Sequence, residues 1–327
     1  MLSELEFSAR DLAQTRFAVS PMWEVVTSFR ALAQTHPVLR GWSEQVRPRI
    51  AAAGLDRGWL AALIPSGSYL PDFLNPAPTE PFPDLSAELD AIRSTPGEQV
   101  RAELGLYTRE HEGEMTGRVL SLHDNPESGL KQVAEEIEAD WELALAPYWA
   151  RIKAVLDADV FHRARQVAEH GAAHLFNDLH SSVSWDDDTL RLVRRQCSIS
   201  RDTAGAGLIL VPSAFSLSTV MTRVVPPAPP QLAYPARGAG TVWSRRRIAH
   251  TDAIAAVIGR SRTLLLAELE APASTSELAA RTGMSASGVS QHLTALRGAG
   301  MVSAHRAGHS VLYARTAVAD SLLGQPV

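Results

Sequence analysis

From Leu130 onward, apolar residues recur three and four positions apart: Val133, Ala134, Ile137, Trp141, Leu145, Tyr148, Ile152 and Val155. That spacing keeps them on one side of a helix. Pro147 lacks a backbone donor and its ring collides with the preceding turn, so a kink or break is expected there. A second stripe, Val160, Ala164, Val167, Ala168, Leu175 and Leu179, predicts a further buried helix face. The pattern then changes to short runs at 181–185, 189–193, 196–201 and 208–212. These read as strands, with turns at 186–188 and 202–207. Upstream, Asp84, Thr95 and Asn125 are candidate helix caps, and Thr95-Pro96-Gly97-Glu98 reads as a capping box with proline at the first helical position. Six prolines from Pro65 to Pro83 predict a long irregular surface segment. Pro226, Pro227, Pro229, Pro230 and Pro235, followed by Gly238 and Gly240, predict an extended connector. The expected architecture is an α+β N-terminal domain over residues 1–243, helices followed by short antiparallel strands, with a separate domain at 244–327.

The second domain has the clearer pattern. Ile254, Val257, Ile258, Leu265 and Leu269 form one helical face, and Pro272 ends it. Ser274-Thr275-Ser276-Glu277 is a capping box opening a short helix through Arg281. Thr282-Gly283-Met284 makes a tight turn, and Ser285 can cap the next helix, which runs to about Arg297 before Gly298-Ala299-Gly300. Residues 301–306 and 310–315 then alternate as two strands around Ala307-Gly308-His309. Helix, short helix, glycine turn, helix and hairpin in that order describe a winged helix-turn-helix.

At about 100° per residue, Val289, Leu293 and Leu296 fall in one wedge roughly 60° wide, facing the core. Ser287, Ser290, Gln291 and Thr294 share the opposite face, and residues 286–298 contain no carboxylate. Short uncharged donors and acceptors suit a major groove, because they reach base edges without repelling phosphate. Gln291 is the expected direct reader, since its amide can pair with adenine. Ser287, Ser290 and Thr294 serve base or phosphate, and Ser285 caps a helix end that attracts phosphate. His292 lies on the flank, and Arg297 closes the helix. Arg306 and His309 bracket the hairpin tip, where a wing would lie over phosphate, and Arg245-Arg246-Arg247 is a further candidate contact.

Charge supports the division. Residues 241–327 hold nine arginines against five acids, net +4, while residues 1–240 hold 22 bases against 31 acids, net −9. The whole-chain charge of −5 therefore averages a basic module and an acidic body. Only Lys131 and Lys153 are lysines among the 31 bases. Cys197 is the one cysteine, which excludes an intramolecular disulfide and a multi-cysteine metal site. Residues 1–6 lack the basic start of a signal peptide, and no apolar run approaches the ~18 residues of a membrane span, so a cytoplasmic protein is expected.

The C-terminal segment resembles the ArsR-type winged-helix regulators. The matching stretches are Ser274 to Arg281, Met284 to Arg297 with its Ser290-Gln291-His292-Leu293 run, Ala299-Gly300-Met301-Val302, and Gly308-His309-Ser310-Val311-Leu312-Tyr313. Met301 and His309 are mild departures. The resemblance covers about a quarter of the chain and implies a homodimeric regulator of transcription, commonly a repressor released by an effector. The stretch Asp11 to Glu24 also resembles the start of an uncharacterised domain found ahead of such modules in high-GC bacteria. The family's metal sensors carry a cysteine pair before the recognition helix and Asp and His ligands in a terminal helix. Residues 274–281 contain no cysteine, and Asp320 stands alone in a short tail.

Other constellations are weaker. His170, His174 and Asp178, at i, i+4 and i+8 of one expected helix, could share a face, although a solvated polar face is the plainer reading. His111-Glu112-Gly113-Glu114 lacks the second histidine of a metalloprotease helix, and Gly205-Ala206-Gly207 lacks the context of a dinucleotide loop. Six tryptophans in the body anchor a core or line an effector pocket. No catalytic residue, metal or cofactor is expected. The expected partners are an operator in double-stranded DNA, a second copy of the chain and a small-molecule effector in the N-terminal domain, with no membrane. The rivals are an enzyme with an appended winged helix, which requires a catalytic cluster in the body, and a protein-interaction module.

Overall fold

A computed structural model describes residues 2–6, 9–64, 69–111, 115, 117–186, 189–193, 206–226, 228–243, 251–307 and 310–323. The strands are β1 (Leu2–Glu6), β2 (Arg16–Phe17), β3 (Val183–Asp186), β4 (Thr189–Val193), β5 (Ile209–Ser213), β6 (Met221–Arg223), β7 (Gln231–Pro235), β8 (Ala273–Ser274), β9 (Val302–Ala307) and β10 (Ser310–Arg315). The chain divides into two compact units. The first comprises Met1–Thr35, Arg57–Glu136 and Leu156–Ala239, and the second His36–Asp56, Ile137–Val155 and Gly240–Val327.

The first unit is helix-rich with short strands, as the apolar pattern indicates, but its strand pairing corrects one expectation. β1-β4-β3 is antiparallel throughout. In the other sheet, ordered β2-β5-β7-β6, β5 runs parallel to both β2 and β7, and only β6 is antiparallel. The reason lies in what covers the sheet. Leu210, Leu232 and Tyr234 pack with Leu175, Phe176 and Leu179 on one side. Ile209, Val211 and Ala233 pack with Ala18 and Trp23 on the other. A strand buried on both faces reads as an unbroken apolar run, the signature of parallel pairing.

Two proline-rich stretches are more ordered than expected. The segment read as an extended connector contains β7, a central strand, with Pro235 at its end where no further ladder donor is needed. Of the 65–83 stretch, expected at the surface, the described residues 69–83 bury Phe73, Leu74 and Asn75. It is irregular because its backbone bonds outward, with Val19 N–H donating to Pro81 O at 2.8 Å and Arg16 Nη2 to Pro78 O at 3.1 Å. The Thr95 capping box is also absent. Thr95 Oγ1 donates back to Ala91 O, and the helix Gly97–Glu110 begins after Pro96 without a side-chain cap. Asp84 precedes Leu85–Arg93 but likewise makes no side-chain cap bond.

The second apolar stripe is corrected as well. Ala164 and Ala168 are exposed, while Asp159 and Arg163 are buried. Arg163 Nη1 donates to Asp178 Oδ2 at 2.5 Å, and Asp159 Oδ2 accepts from the Tyr234 hydroxyl at 2.7 Å. The inward face of Trp149–His170 thus carries an ion-pair network that an apolar count passes over. The helix ends at His170, and Gly171, at φ 85°, opens a new helix, Ala172–Leu179. His170, His174 and Asp178 therefore do not lie on one continuous helix, and Asp178 is held by Arg163 and Gln166.

Buried and half-buried glutamates close other gaps in the backbone hydrogen bonding. Glu88 Oε2 accepts from Met22 N–H at 2.8 Å and Oε1 from Ser20 Oγ at 2.5 Å, satisfying donors at the start of Pro21–Leu32. Glu136 accepts from Trp59 and Leu60 N–H, both at 2.7 Å, and Glu103 from Phe73 N–H at 2.7 Å. Both oxygens of Glu24 accept from Ala214 N–H at 3.1 Å. Burial pushes Glu24 up to about 8 and Glu88 and Glu103 up to about 7. The formal −9 of residues 1–240 therefore overstates their charge at neutral pH.

Candidate nucleic-acid interface

The second unit contains the winged helix-turn-helix. Its opening helix is two helices, Thr251–Ile258 and Arg260–Glu268, parted at Gly259 with φ 89°. That break explains why Val257, placed in the core face by periodicity, is 80 % exposed, while Ile254, Leu265 and Leu269 are buried. The helix Thr275–Thr282 carries the full capping box. Ser274 N–H donates to Glu277 Oε2 at 2.7 Å and Glu277 N–H to Ser274 Oγ at 3.3 Å. Gly283 supplies the left-handed turn at φ 71°. Ser285 caps the next helix, Ala286–Gly298, by accepting from Gly288 N–H at 3.2 Å. β9 and β10 pair antiparallel, Ser310 opposite Ala307 and Arg315 opposite Val302.

The Ala286–Gly298 helix has the expected division of faces. Val289, Leu293 and Leu296 are buried in a core with Leu265, Leu266, Leu278 and Val302. Ser285, Ser287, Ser290, Gln291, Thr294 and Arg297 are all exposed, and His292 on the flank is half-buried. Their chemistry differs in detail. Ser285 Oγ is 3.2 Å from Ser287 Oγ, and Thr294 Oγ1 donates to Ser290 O at 2.9 Å, which leaves the Thr294 oxygen as an acceptor. No hydrogen bond among the described residues engages the Gln291 amide. Arg306 on β9 is exposed. His309, Arg245-Arg246-Arg247, Cys197 and the strand expected at 196–201 lie outside the described residues.

Several parts of this unit left little trace in the sequence. β8, directly after Pro272, pairs with β10 and adds a third strand at the base of the wing. Two residues are too few for any period to register. A short helix, Ala317–Leu322, follows β10. Asp320, read as lacking the family's terminal-helix ligand partners, is buried there among arginines. Its Oδ1 is 3.0 Å from Arg315 Nε and its Oδ2 3.5 Å from Arg151 Nε. Burial and the neighbouring Arg151 charge lower the Arg315 guanidinium to about 10.

The helix Arg40–Ala52 and residues 137–155 belong to the same unit. Pro147 does divide the first apolar stripe. A π-helical turn, Trp141–Leu145, and a 3-10 turn, Ala146–Tyr148, separate Pro126–Asp140 from Trp149–His170. Trp42 acts here as a core anchor. Trp42 Nε1 donates to Ala144 O at 2.9 Å, and Trp42 and Tyr148 each lie 5.8 Å from the Trp243 ring. β9 and β10 run beside these turns, where His305 Nδ1 lies 3.9 Å from Glu142 Oε2.

No helix among the described residues is long and apolar enough to cross a membrane. No curated protein and no solved structure matches the chain. A family model described as bacterial regulatory protein, arsR family, matches residues 263–304, from the Arg260–Glu268 helix into β9. Residues 263–304 thus match the arsR family of bacterial regulatory proteins, and the winged helix-turn-helix that contains them is a DNA-binding regulator domain.

Proposed function

We propose that the chain is a sequence-specific regulator of transcription that binds an operator in double-stranded DNA as a homodimer, acts as a repressor and responds to a small-molecule effector. One observation carries the reading. The Ala286–Gly298 helix buries Val289, Leu293 and Leu296 and leaves a carboxylate-free row of serines, Gln291 and Thr294 in solvent. In this role the helix lies in a major groove. Gln291 reads a base edge, Ser287, Ser290 and Thr294 contact base or phosphate, Ser285 presents the helix start to phosphate and Arg297 its end. His292 packs at the groove margin, and Arg306 and His309 follow the backbone from the wing.

Two-fold pairing would place the two helices in successive grooves, about 10–10.5 bp apart between half-site centres. The pairing surface is assigned to the helices Thr251–Ile258 and Arg260–Glu268, on which Val257 and Leu264 are 80 % and 42 % exposed. The effector is assigned to the N-terminal domain of residues 1–243, which is larger than a winged helix needs for folding or pairing. Titrating the full chain against its own upstream DNA and a random duplex, over a range of salt, tests the function. Tighter binding upstream and affinity that falls with salt are expected. Equal affinity for both duplexes overturns sequence specificity, and no binding at low salt overturns the DNA role.

A further inference from the structure

The base of the wing is packed: β8 pairs with β10 through Leu312–Ser274 and Tyr313–Ala273, and Val302, Leu312 and Ala314 are buried. Beyond that base the wing is a two-stranded ribbon, β9 with β10. Such a ribbon is marginal by itself, so side chains help to set its direction. Alternation along β9 puts neighbouring residues on opposite faces. Arg306 is exposed, and His305 before it is half-buried, with Nε2 2.8 Å from Ser303 Oγ and Nδ1 3.9 Å from Glu142 Oε2. At the far end of β10, Arg315 is 3 % exposed. It pairs with Asp320 and donates to Leu266 O at 3.4 Å, and the second oxygen of Asp320 faces Arg151. One carboxylate therefore lies between two guanidinium groups, one from the wing and one from a helix more than 160 residues earlier.

We propose that Arg151, acting through Asp320 and Arg315, and Glu142, acting beside His305, are positioning residues that aim the wing at the DNA backbone. This rests on the DNA-binding reading above. Residues 137–155, far outside the segment that matches the arsR family, are then a working part of the DNA-binding unit. Arg151 meets the root of β10 through Asp320, Glu142 lies beside the covered face of β9, and Arg306 is carried on the open face between them.

The test uses the full chain, with Arg151→Gln and Glu142→Gln as variants, because removing Asp320 or Arg315 would strand a buried charge. Binding to the upstream and random duplexes is measured by fluorescence anisotropy across salt concentrations. Each variant should lose about three- to tenfold in affinity on both duplexes, with a salt slope smaller by up to about one phosphate contact. Neither should lose anything further in an Arg306→Ala background, and Arg151→Lys should recover most of the loss. A folded Arg151→Gln that binds as wild type overturns the proposal, as does an equal loss with and without Arg306. If Arg151→Gln does not fold, Glu142→Gln, whose side chain is 43 % exposed, decides by the same criteria. Wild-type chain that binds neither duplex overturns the DNA reading and this inference together. Wild-type binding with unchanged variants overturns this inference alone.

Discussion

Trp23 Nε1 donates to Gln231 Oε1 at 2.7 Å, joining residues 208 positions apart in the buried centre of the first unit. Gln231 is fully buried at the start of β7, and its Nε2 donates to Asn75 O at 2.9 Å. One side-chain amide therefore holds the helix Pro21–Leu32, the 69–83 segment and the central sheet in register. Gln231→Ala leaves the indole N–H and the Asn75 carbonyl unpaired, and it should cost about 2–6 kcal/mol at about 1–3 kcal/mol per stranded group. Urea unfolding measures this, and a loss below about 0.5 kcal/mol would remove Gln231 from that role.

The buried glutamates give the first unit a pH dependence of definite sign. Glu24, Glu88 and Glu103 titrate at about 8, 7 and 7 in the folded chain, against 4.5 for an ordinary glutamate. Desolvation by burial is the main cause in each. The folded state then binds more protons than the unfolded state between those values, so stability falls as pH rises through about 4.5 to 8. The thermal midpoint should be higher at pH 6 than at pH 8.5, and Glu24→Gln should flatten the difference. A higher midpoint at pH 8.5 would contradict the assignment.

The capping box predicts a smaller effect in the other unit. Ser274→Ala removes the bond from Glu277 N–H and should destabilise the helix-turn-helix by about 1 kcal/mol. Hydrogen exchange over Thr275–Thr282 should rise while the first unit is unchanged.

Arg306→Ala should weaken binding to every sequence by a similar factor and reduce the salt slope by about one, since a phosphate contact carries no base information. Anisotropy titrations on matched and random duplexes separate this from a loss of specificity, which would appear on the matched duplex alone.

These sites differ in how far the sequence revealed them. The Ser274–Glu277 box, the Gly283 turn, the Ser285 cap and the Val289-Leu293-Leu296 wedge are local, and each is written within a few residues, so the winged helix was legible down to its faces. The Pro147 break was legible for the same reason. The body was legible only as a class. Burial on both faces of β5 removed the alternation that would have marked its pairing. On Trp149–His170 the inward positions 159 and 163 are an aspartate and an arginine, so the apolar stripe holds at Val167, Leu175 and Leu179 but not at Ala164 and Ala168. Thr95 matched a capping pattern but is engaged with the helix behind it. Arg151, Asp320 and Arg315 meet through the fold, and no spacing along the chain could have joined them.

Sequence reading by Gln291 is the central claim, and replacing it by alanine tests that claim most directly. Affinities of the wild type and Gln291→Ala are compared on the upstream duplex, on its single-base variants and on random DNA at one salt concentration. The account predicts a loss of about 1–3 kcal/mol on the upstream duplex, relaxed discrimination at one base pair and unchanged affinity for random DNA. Equal loss on matched and random DNA would contradict it.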